Sequence, residues 1–294
     1  MKIKTGTVVI TGKPNVGKST LINTIANKLI AITSPKPQTT RNKIKFTYND
    51  DKNKIAFIDT PGYHIPNNKL DMFLNSEIKN AYKLADIALL VIDLTREIDQ
   101  EDIEVINIIK SYNVKKVILV LNKIDVAKQG IDQKYEAKVK ELIEISHVIK
   151  ICANKIESVK EVIDTIHNHL DDNNDLVEDV EIADNFFISE IIREQIIFNF
   201  KQEVPYATCI AIRKKNYDPN TNVFEIYADI VVEKESQKPI IIGAKGQMIK
   251  KIGTKSREKL LEFYDCKIVL HLFVVTKKDW RNDTTFLKEN GYYR

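Results

Sequence analysis

The stretch Gly12-Lys13-Pro14-Asn15-Val16-Gly17-Lys18-Ser19 constrains this chain more than any other. It follows the apolar run Val8-Val9-Ile10 and opens a helical pattern of Leu21, Ile22, Ile25 and Leu29. Strand, glycine loop and helix form the context that G-x-x-x-x-G-K-[ST] requires to bind phosphate. Gly12 and Gly17 let the backbone turn its N–H groups inward, and the helix aims its positive dipole end at the same place. Lys18 is expected to reach the β- and γ-phosphates, and Ser19 to offer its hydroxyl to Mg²⁺. The whole run from Gly12 to Thr20, including Pro14 and Val16, is the expected phosphate cradle.

The rest of the composition narrows the setting. A chain of 294 residues suggests two domains, and 43% hydrophobic residues suffice for real cores. The formal net charge is only +4, so any nucleic-acid surface must be local. Cys152, Cys209 and Cys266 are odd in number and lack metal-ligand spacing, which fits a reducing, cytoplasmic compartment. The apolar run after Gly6 is too short for a signal peptide, and 87–92 is far too short to span a bilayer.

From the glycine loop to about residue 170, strand and helix patterns alternate. Strands are expected over 6–11, 43–48, 54–59, 87–93, 116–121 and 148–152, and helices over 18–29, 69–84, 99–111, 132–146 and 157–170. Segment 87–92 is apolar throughout, as a strand covered on both faces must be. The pattern predicts an α/β domain with a mostly parallel sheet and helices on both faces, whose ligands sit at the carboxyl ends of the strands.

Three further motifs fall at such ends. Asp59-Thr60-Pro61-Gly62 places a carboxylate that can hold Mg²⁺, and a Gly62 N–H that can meet the γ-phosphate. Asn122-Lys123-Ile124-Asp125 is a guanine motif. A carboxylate at Asp125 accepts from guanine's ring N–H and amine, whereas adenine would leave it unpaired. Asn122 can bond the base and neighbouring loops, and Lys123 can lie along the ring. At the last strand end, the Ala153 N–H beside Cys152 can reach the guanine carbonyl. Between the first helix and the second strand lies a polar loop, Ser34 to Arg41, where Thr40, in preference to Thr39, is expected to close on Mg²⁺ and the γ-phosphate.

Residues 171 to 184 carry seven acids and no base, a solvated linker. The expected division is 1–172, an acidic linker over 173–184, and a second domain over 185–294. In that second domain the order is helix to about Phe200, strands over 207–214 and 223–233 with a turn over 216–220, a short helix, Gly243-Ala244-Lys245-Gly246, a helix through Phe263, and a strand over 267–275. From residue 240 onward there are 12 Lys or Arg against 6 Asp or Glu, a local charge of +6. Two glycines flanking Lys245, followed by Lys250 and Lys251, can clamp a single-stranded nucleic acid backbone as a KH module does.

The motifs GKPNVGKST, QTTR, DTPG, NKID and IIGAKGQMIKKIG, with KKDWRN near the end, resemble the Era family of bacterial GTPases over nearly the whole chain. The resemblance implies a P-loop GTPase domain followed by an α+β type II KH domain. It implies GTP hydrolysis to GDP with Mg²⁺, binding to small-subunit ribosomal RNA near its 3′ end, and a role in small-subunit assembly. It also implies a cytoplasmic monomer with some peripheral membrane association. On that match Lys18, Thr40, Gly62 and Asn15 are the catalytic set, Ser19, Thr40 and Asp59 the metal set, and 243–246 with Lys250 and Lys251 the RNA clamp. Lys13 replaces the arginine common in the family, at a position expected to be chemically silent. Cys152 stands for the usual serine, at little expected cost. Related GTPases with G-x-x-N-x-G-K-S bind K⁺ through the asparagine; Asn15 either does this or only shapes the loop. The glutamine that orients water in Ras-like enzymes is absent: Tyr63 stands there, followed by His64, so a slow intrinsic rate is expected. Two rivals remain at this point: an RNA-binding protein that merely holds GTP or GDP, and a GTPase of transfer RNA modification, against which the KH module argues.

Overall fold

A computed structural model describes residues 3–27, 44–60, 66–171, 184–200 and 203–292. The expected loop residues Thr39 and Thr40, the positions Gly62, Tyr63 and His64, and all of the acidic linker but Asp184 lie outside the described residues. The chain divides into two compact units, Met1–Pro66 with Asp71–Ile182, and Asn67–Leu70 with Ala183–Arg294.

The first unit is built on a six-stranded sheet. In chain order its strands are β1 (Lys4–Thr11), β2 (Ile44–Asn49), β3 (Asn53–Asp59), β4 (Ile87–Asp93), β5 (Lys116–Asn122) and β6 (His147–Ile151), arranged β2-β3-β1-β4-β5-β6. Only the β2–β3 pair is antiparallel. Phe46 and Phe57 face each other across that pair, rings stacked at 5.1 Å, which pins its register. Every residue of β4 is buried, as a central strand covered on both sides must be.

The helices are α1 (Lys18–Ala26), α2 (Lys69–Leu84), α3 (Gln100–Ser111), α4 (Ile131–Leu142) and α5 (Ile156–His169). Ile78 and Tyr82 of α2, Ile106 and Ile109 of α3, and Tyr135 and Val139 of α4 pack with Val9, Leu90, Leu119 and Leu121 into one core. The buried stripes Leu21, Ile22, Ile25 of α1 and Val162, Ile163, Ile166 of α5 cover the other face. Each fully buried leucine or isoleucine contributes about 1.5–3 kcal/mol.

Two helices are shorter than their apolar patterns suggest. The α1 pattern runs on to Leu29, but Asn27 takes a left-handed conformation, φ 50°, and ends the helix. The α4 pattern runs to residue 146, but Ile143 is extended and Ser146 donates its N–H to Val117 at 2.8 Å, entering β6.

The second unit holds α6 (Asp184–Asn199), β7 (Cys209–Asp218), β8 (Val223–Val232), α7 (Lys238–Ile242), α8 (Gln247–Leu260), β9 (Lys267–Thr276) and α9 (Thr284–Glu289). Its sheet runs β7-β8-β9, with β7 and β8 antiparallel and β8 and β9 parallel. Ile188, Ile192 and Ile196 of α6, Ile241, and Ile252 and Leu260 of α8 pack on Ile226, Ala228 and Ile230 of β8. The strand expected over 207–214 runs instead to Asp218. A bulge between Ile212 and Lys214 shifts its register on β8 by one residue, and Asp218 caps the turn through Asn220 N–H at 2.9 Å and the Thr221 hydroxyl at 2.7 Å. Asp184, read as linker, is the first residue of α6.

Candidate nucleotide site and nucleic-acid interface

Parallel register assembles the first site. Ile10 lies beside Asp59, Asp93 beside Asn122, and Asn122 beside Ile151, so every motif emerges on one edge of the sheet. The glycine loop bends over that edge. Gly12 has φ 141°, and a Cβ there would meet the Val91 carbonyl at 2.4 Å. Gly17 has φ 104°, and its Cβ would lie 2.2 Å from Asn122 Nδ2. Both positions therefore require glycine, for conformation and for space.

Lys18 is buried at the start of α1, and its ammonium donates to the carbonyls of Gly12 at 2.7 Å and Lys13 at 2.9 Å. Burial lowers its pKa, the neighbouring Asp59 carboxylate opposes that, and Arg96 adds to it. The loop thus holds a desolvated cation against its own crown, where polyphosphate oxygens are the natural partners. Asp59 is fully buried at the end of β3, and Ser19 and Thr20 are half-buried on the first turn of α1.

Lys13 corrects an expectation. Its side chain is not silent: the ammonium is buried between Asp99 at 2.6 Å and Asp102 at 2.9 Å. Those two acids form the capping box of α3, so Lys13 fastens the glycine loop to the start of that helix. Burial opposes its charge, but the bonds to Asp99 and Asp102 outweigh burial and raise its pKa. Its side chain is spent on α3, and only its backbone belongs to the phosphate loop. Asn15 is exposed at the tip of the loop with φ 66°.

Asn122 staples three segments together. Its Nδ2 donates to Val16 O at 2.7 Å, and its Oδ1 accepts from the N–H of Lys123 at 2.8 Å and of Ala153 at 3.0 Å. The Ala153 N–H, expected to point at a guanine carbonyl, is thus bonded to Asn122. The Lys123 ammonium, expected along a ring, meets Asp93 at 2.6 Å and Asn15 O at 3.4 Å. Asp125 is exposed on the short 3₁₀ turn Ile124–Val126. Burial, and then the Asp125 carboxylate beside it, push the Cys152 thiol up, so it stays protonated and donates to Asn154 Oδ1 at 2.9 Å. Asp125, Cys152 and Ala153 therefore share one corner. Thr24 of α1 closes it, donating to Ala153 O at 2.7 Å.

Several of these residues escaped sequence reasoning: Asp93, Arg96, Asp99, Asp102 and Thr24. Asp93 alone left a sequence signal, since a polar residue closes the all-apolar run of β4.

In the second unit, Gly243 has φ 74° and ψ 172°, and a Cβ there would lie 2.5 Å from that of Met248. Gly246 has φ 75° with open space around it. Lys245 between them is exposed and left-handed, φ 51°, a conformation that costs a non-glycine residue about 1–2 kcal/mol. Gly246 caps α8 without a side-chain bond, and the first turn of α8 carries no acid. Ala244, Lys245, Lys250 and Lys251 are all exposed around that helix start. Positive charge beside the positive end of a helix dipole is unfavourable by itself and suits an anion. The half-exposed Ile240 and Ile242 of α7 lie next in sequence, an apolar surface the motif search did not single out.

A phosphate loop, an acidic strand end and a guanine motif on a doubly wound sheet, followed by a helix-flanked G-x-x-G, define a P-loop GTPase joined to a KH module. Comparison with known proteins agrees. Residues 7–123 match the family described as 50S ribosome-binding GTPase, and residues 203–281 match the KH domain. The GTPase Era of Ureaplasma parvum is 45% identical over 98% of both chains, and that of Clostridium kluyveri 38% identical over 99% of both. A crystal structure of an Aquifex aeolicus Era variant bound to GDP·AlF4⁻ superposes with a TM-score of 0.90 at 32% identity, covering 99% of both chains. Era in complex with MgGDPNP and nucleotides 1506–1542 of 16S ribosomal RNA gives 0.91, also at 32% identity and 99% coverage. The chain belongs to the Era family of GTPases and is an enzyme that hydrolyses GTP.

Proposed function

We propose that this chain is a GTP-dependent switch that binds the 3′ end of small-subunit ribosomal RNA through its KH module and acts in assembly of the small ribosomal subunit. The observation that carries the reading is the G-x-x-G turn. It is strained at Lys245 and ringed by exposed lysines at an acid-free helix start, in a chain that also carries the phosphate loop and the guanine motif. A relative similar over the full chain is described with a 16S ribosomal RNA fragment and MgGDPNP, which supports the same partners here.

The nucleotide would sit with its phosphates on the cradle from Gly12 to Thr20, including Pro14 and Val16, under Lys18, and its base between Asn122, Lys123, Asp125, Cys152 and Ala153. Mg²⁺ fits the donors available: the Ser19 hydroxyl and the Asp59 carboxylate are hard oxygens, with Thr40 as the expected third. One carboxylate suits an ion that keeps water and phosphate oxygens as its other ligands. When bound, Mg²⁺ would neutralise charge on the phosphates. Lys18 does the same from the protein side. The Gly62 N–H is the proposed γ-phosphate contact. Asn15, exposed at the loop tip, is the proposed K⁺ ligand, and the ion would stabilise the charge that develops on the transferred group.

On the RNA side, backbone phosphates would meet Gly243, Ala244, Lys245 and Gly246, with Lys250 and Lys251 flanking them. The proposed division of labour is a GTPase domain over 1–172, a linker ending before Asp184 and an RNA-binding domain that starts with α6, in a cytoplasmic monomer. No helix among the described residues is long and apolar enough to cross a membrane. A further proposed contact is peripheral, with the inner face of the membrane through exposed lysines on anionic lipid.

Phosphate release with and without a single-stranded RNA of the small-subunit 3′ end tests the reading. Tight binding of that RNA and a faster rate support it. Equal binding of a scrambled RNA removes the ribosomal assignment.

A further inference from the structure

We propose that Asp93 is a positioning residue of the GTP site, acting through Lys123 and Arg96 to hold the guanine side and the phosphate loop in one fixed relation. Asp93 ends β4, between the glycine loop and the guanine motif, and its side chain is 1% exposed. All of its acceptor capacity is used. Oδ1 takes the Thr95 N–H at 2.9 Å and the Thr95 hydroxyl at 2.7 Å. Oδ2 takes Arg96 Nε at 3.1 Å and Lys123 Nζ at 2.6 Å.

The two cations then reach the same stretch of the phosphate loop. Arg96 Nη2 donates to Pro14 O at 3.2 Å, and Lys123 Nζ donates to Asn15 O at 3.4 Å. With Lys13 tied to Asp99 and Asp102, three consecutive loop residues hang from the segment 93–102 and the lysine it holds. That segment is itself braced by α4: the Tyr135 hydroxyl donates to Arg96 O, and Lys138 donates to Ile98 O at 3.0 Å. A carboxylate buried among charged and neutral donors, on a braced loop, is a rigid reference point for both cations.

An asparagine at this position would keep the shape and remove the function. Whichever way its amide turned, an NH₂ group would face two donors, either those of Thr95 or the pair Arg96 and Lys123. Either way the charge that anchors Lys123 and Arg96 is lost, while Asp125 is untouched. The proposal rests on reading Lys123 and Asn15 as nucleotide-site residues, and the experiment separates the two ideas.

Release of a fluorescent GDP analogue is followed in the full-length protein for Asp93→Asn, Lys123→Met and the double variant. Asp93→Asn should speed release about tenfold, the size of one charge-assisted bond of about 1.4 kcal/mol. In the Lys123→Met background the same change should alter release only about threefold, the part carried by Arg96, because residues acting as one unit are not additive. Additive losses would mean that Asp93 merely supports the fold, and the proposal fails. Unchanged release in Lys123→Met alone would also overturn it, and would withdraw Lys123 from the nucleotide site as well. Thermal unfolding checks that each variant is folded. If Asp93→Asn does not fold, Arg96→Gln at the half-exposed arm serves instead. It should speed release about threefold with an unchanged melting temperature, and no change in release would sink the idea.

Discussion

The side-chain amide of Asn122 donates to the carbonyl of Val16 at 2.7 Å, joining two loops 106 residues apart. Because its other end accepts the Ala153 N–H at 3.0 Å, one side chain fixes the spacing of the phosphate loop, the guanine motif and the last strand end. Asn122→Ala would leave two buried backbone groups without partners, at about 1–3 kcal/mol each. We expect a lowered melting temperature even without nucleotide, and a larger loss of GDP affinity. Thermal unfolding with and without GDP reads both.

Gly17 is the counterpart of that contact. An added methyl would sit 2.2 Å from Asn122 Nδ2, on a backbone at φ 104° that alanine adopts poorly. Gly17→Ala should therefore abolish GTP binding, measured by calorimetry, while Gly130→Ala, in open space at φ 76°, should cost only stability.

The proposed guanine contact of Asp125 gives a test of base selectivity. Replacing the carboxylate by an amide in Asp125→Asn should weaken GTP binding and admit xanthosine nucleotides, since xanthine presents a carbonyl where guanine has its amine. Competition against a labelled nucleotide measures the exchange. Equal affinity of the unaltered protein for ATP and GTP would contradict the guanine assignment.

Much of this site was legible from residues alone, because strand ends and short motifs coincide. Gly12 to Ser19, Asp59, and Asn122 to Asp125 all stand where parallel strands stop, and register does the rest. What stayed hidden was side-chain pairing over long separations. Nothing in the sequence couples Lys13 to Asp99 and Asp102, nearly 90 residues on, so a buried ion triad looked like a silent position. The β4–α3 segment was likewise invisible as a scaffold, since its contacts to the loop are a backbone carbonyl bond from Arg96 and an ion pair at Asp99 that no motif records. In the KH module the strand β7 was read four residues short, because a bulge interrupts its alternation.

Two ion pairs set opposite pH limits. Burial works against the charge of Asp93, yet Lys123 and Thr95 hold its pKa below the ordinary 3.8. A lowered carboxylate pKa stabilises fully above 3.8, and the contribution is lost as pH falls through the folded value. Lys13 is raised above 10.5, so its contribution is complete below 10.5 and is lost as pH rises through the folded value. Urea midpoints against pH should therefore lose the Asp93 contribution only on the acid side, and Asp93→Asn should flatten that limb while leaving the alkaline one unchanged.

Asn15, exposed at the loop tip, gives a cation test. If it holds K⁺, GTP hydrolysis in K⁺ should exceed that in Na⁺ at matched ionic strength, and Asn15→Ala should erase the difference. Identical rates in the two salts would reduce Asn15 to a residue that shapes the loop.

The central claim is that one chain carries a GTPase and a separate RNA clamp, and Gly246→Asp measures it most directly. Gly246 has open space around it, and aspartate tolerates its φ of 75° better than most residues, so the module should still fold. The carboxylate would lie at the start of α8 against backbone phosphate, opposing Lys245, Lys250 and Lys251. Anisotropy with a single-stranded RNA of the small-subunit 3′ end is read beside phosphate release, with circular dichroism as the folding check. RNA binding should be lost while GTP affinity and the basal rate stay within about twofold of the unaltered protein. Full RNA affinity in a folded Gly246→Asp protein would contradict the clamp and withdraw the RNA assignment of this surface.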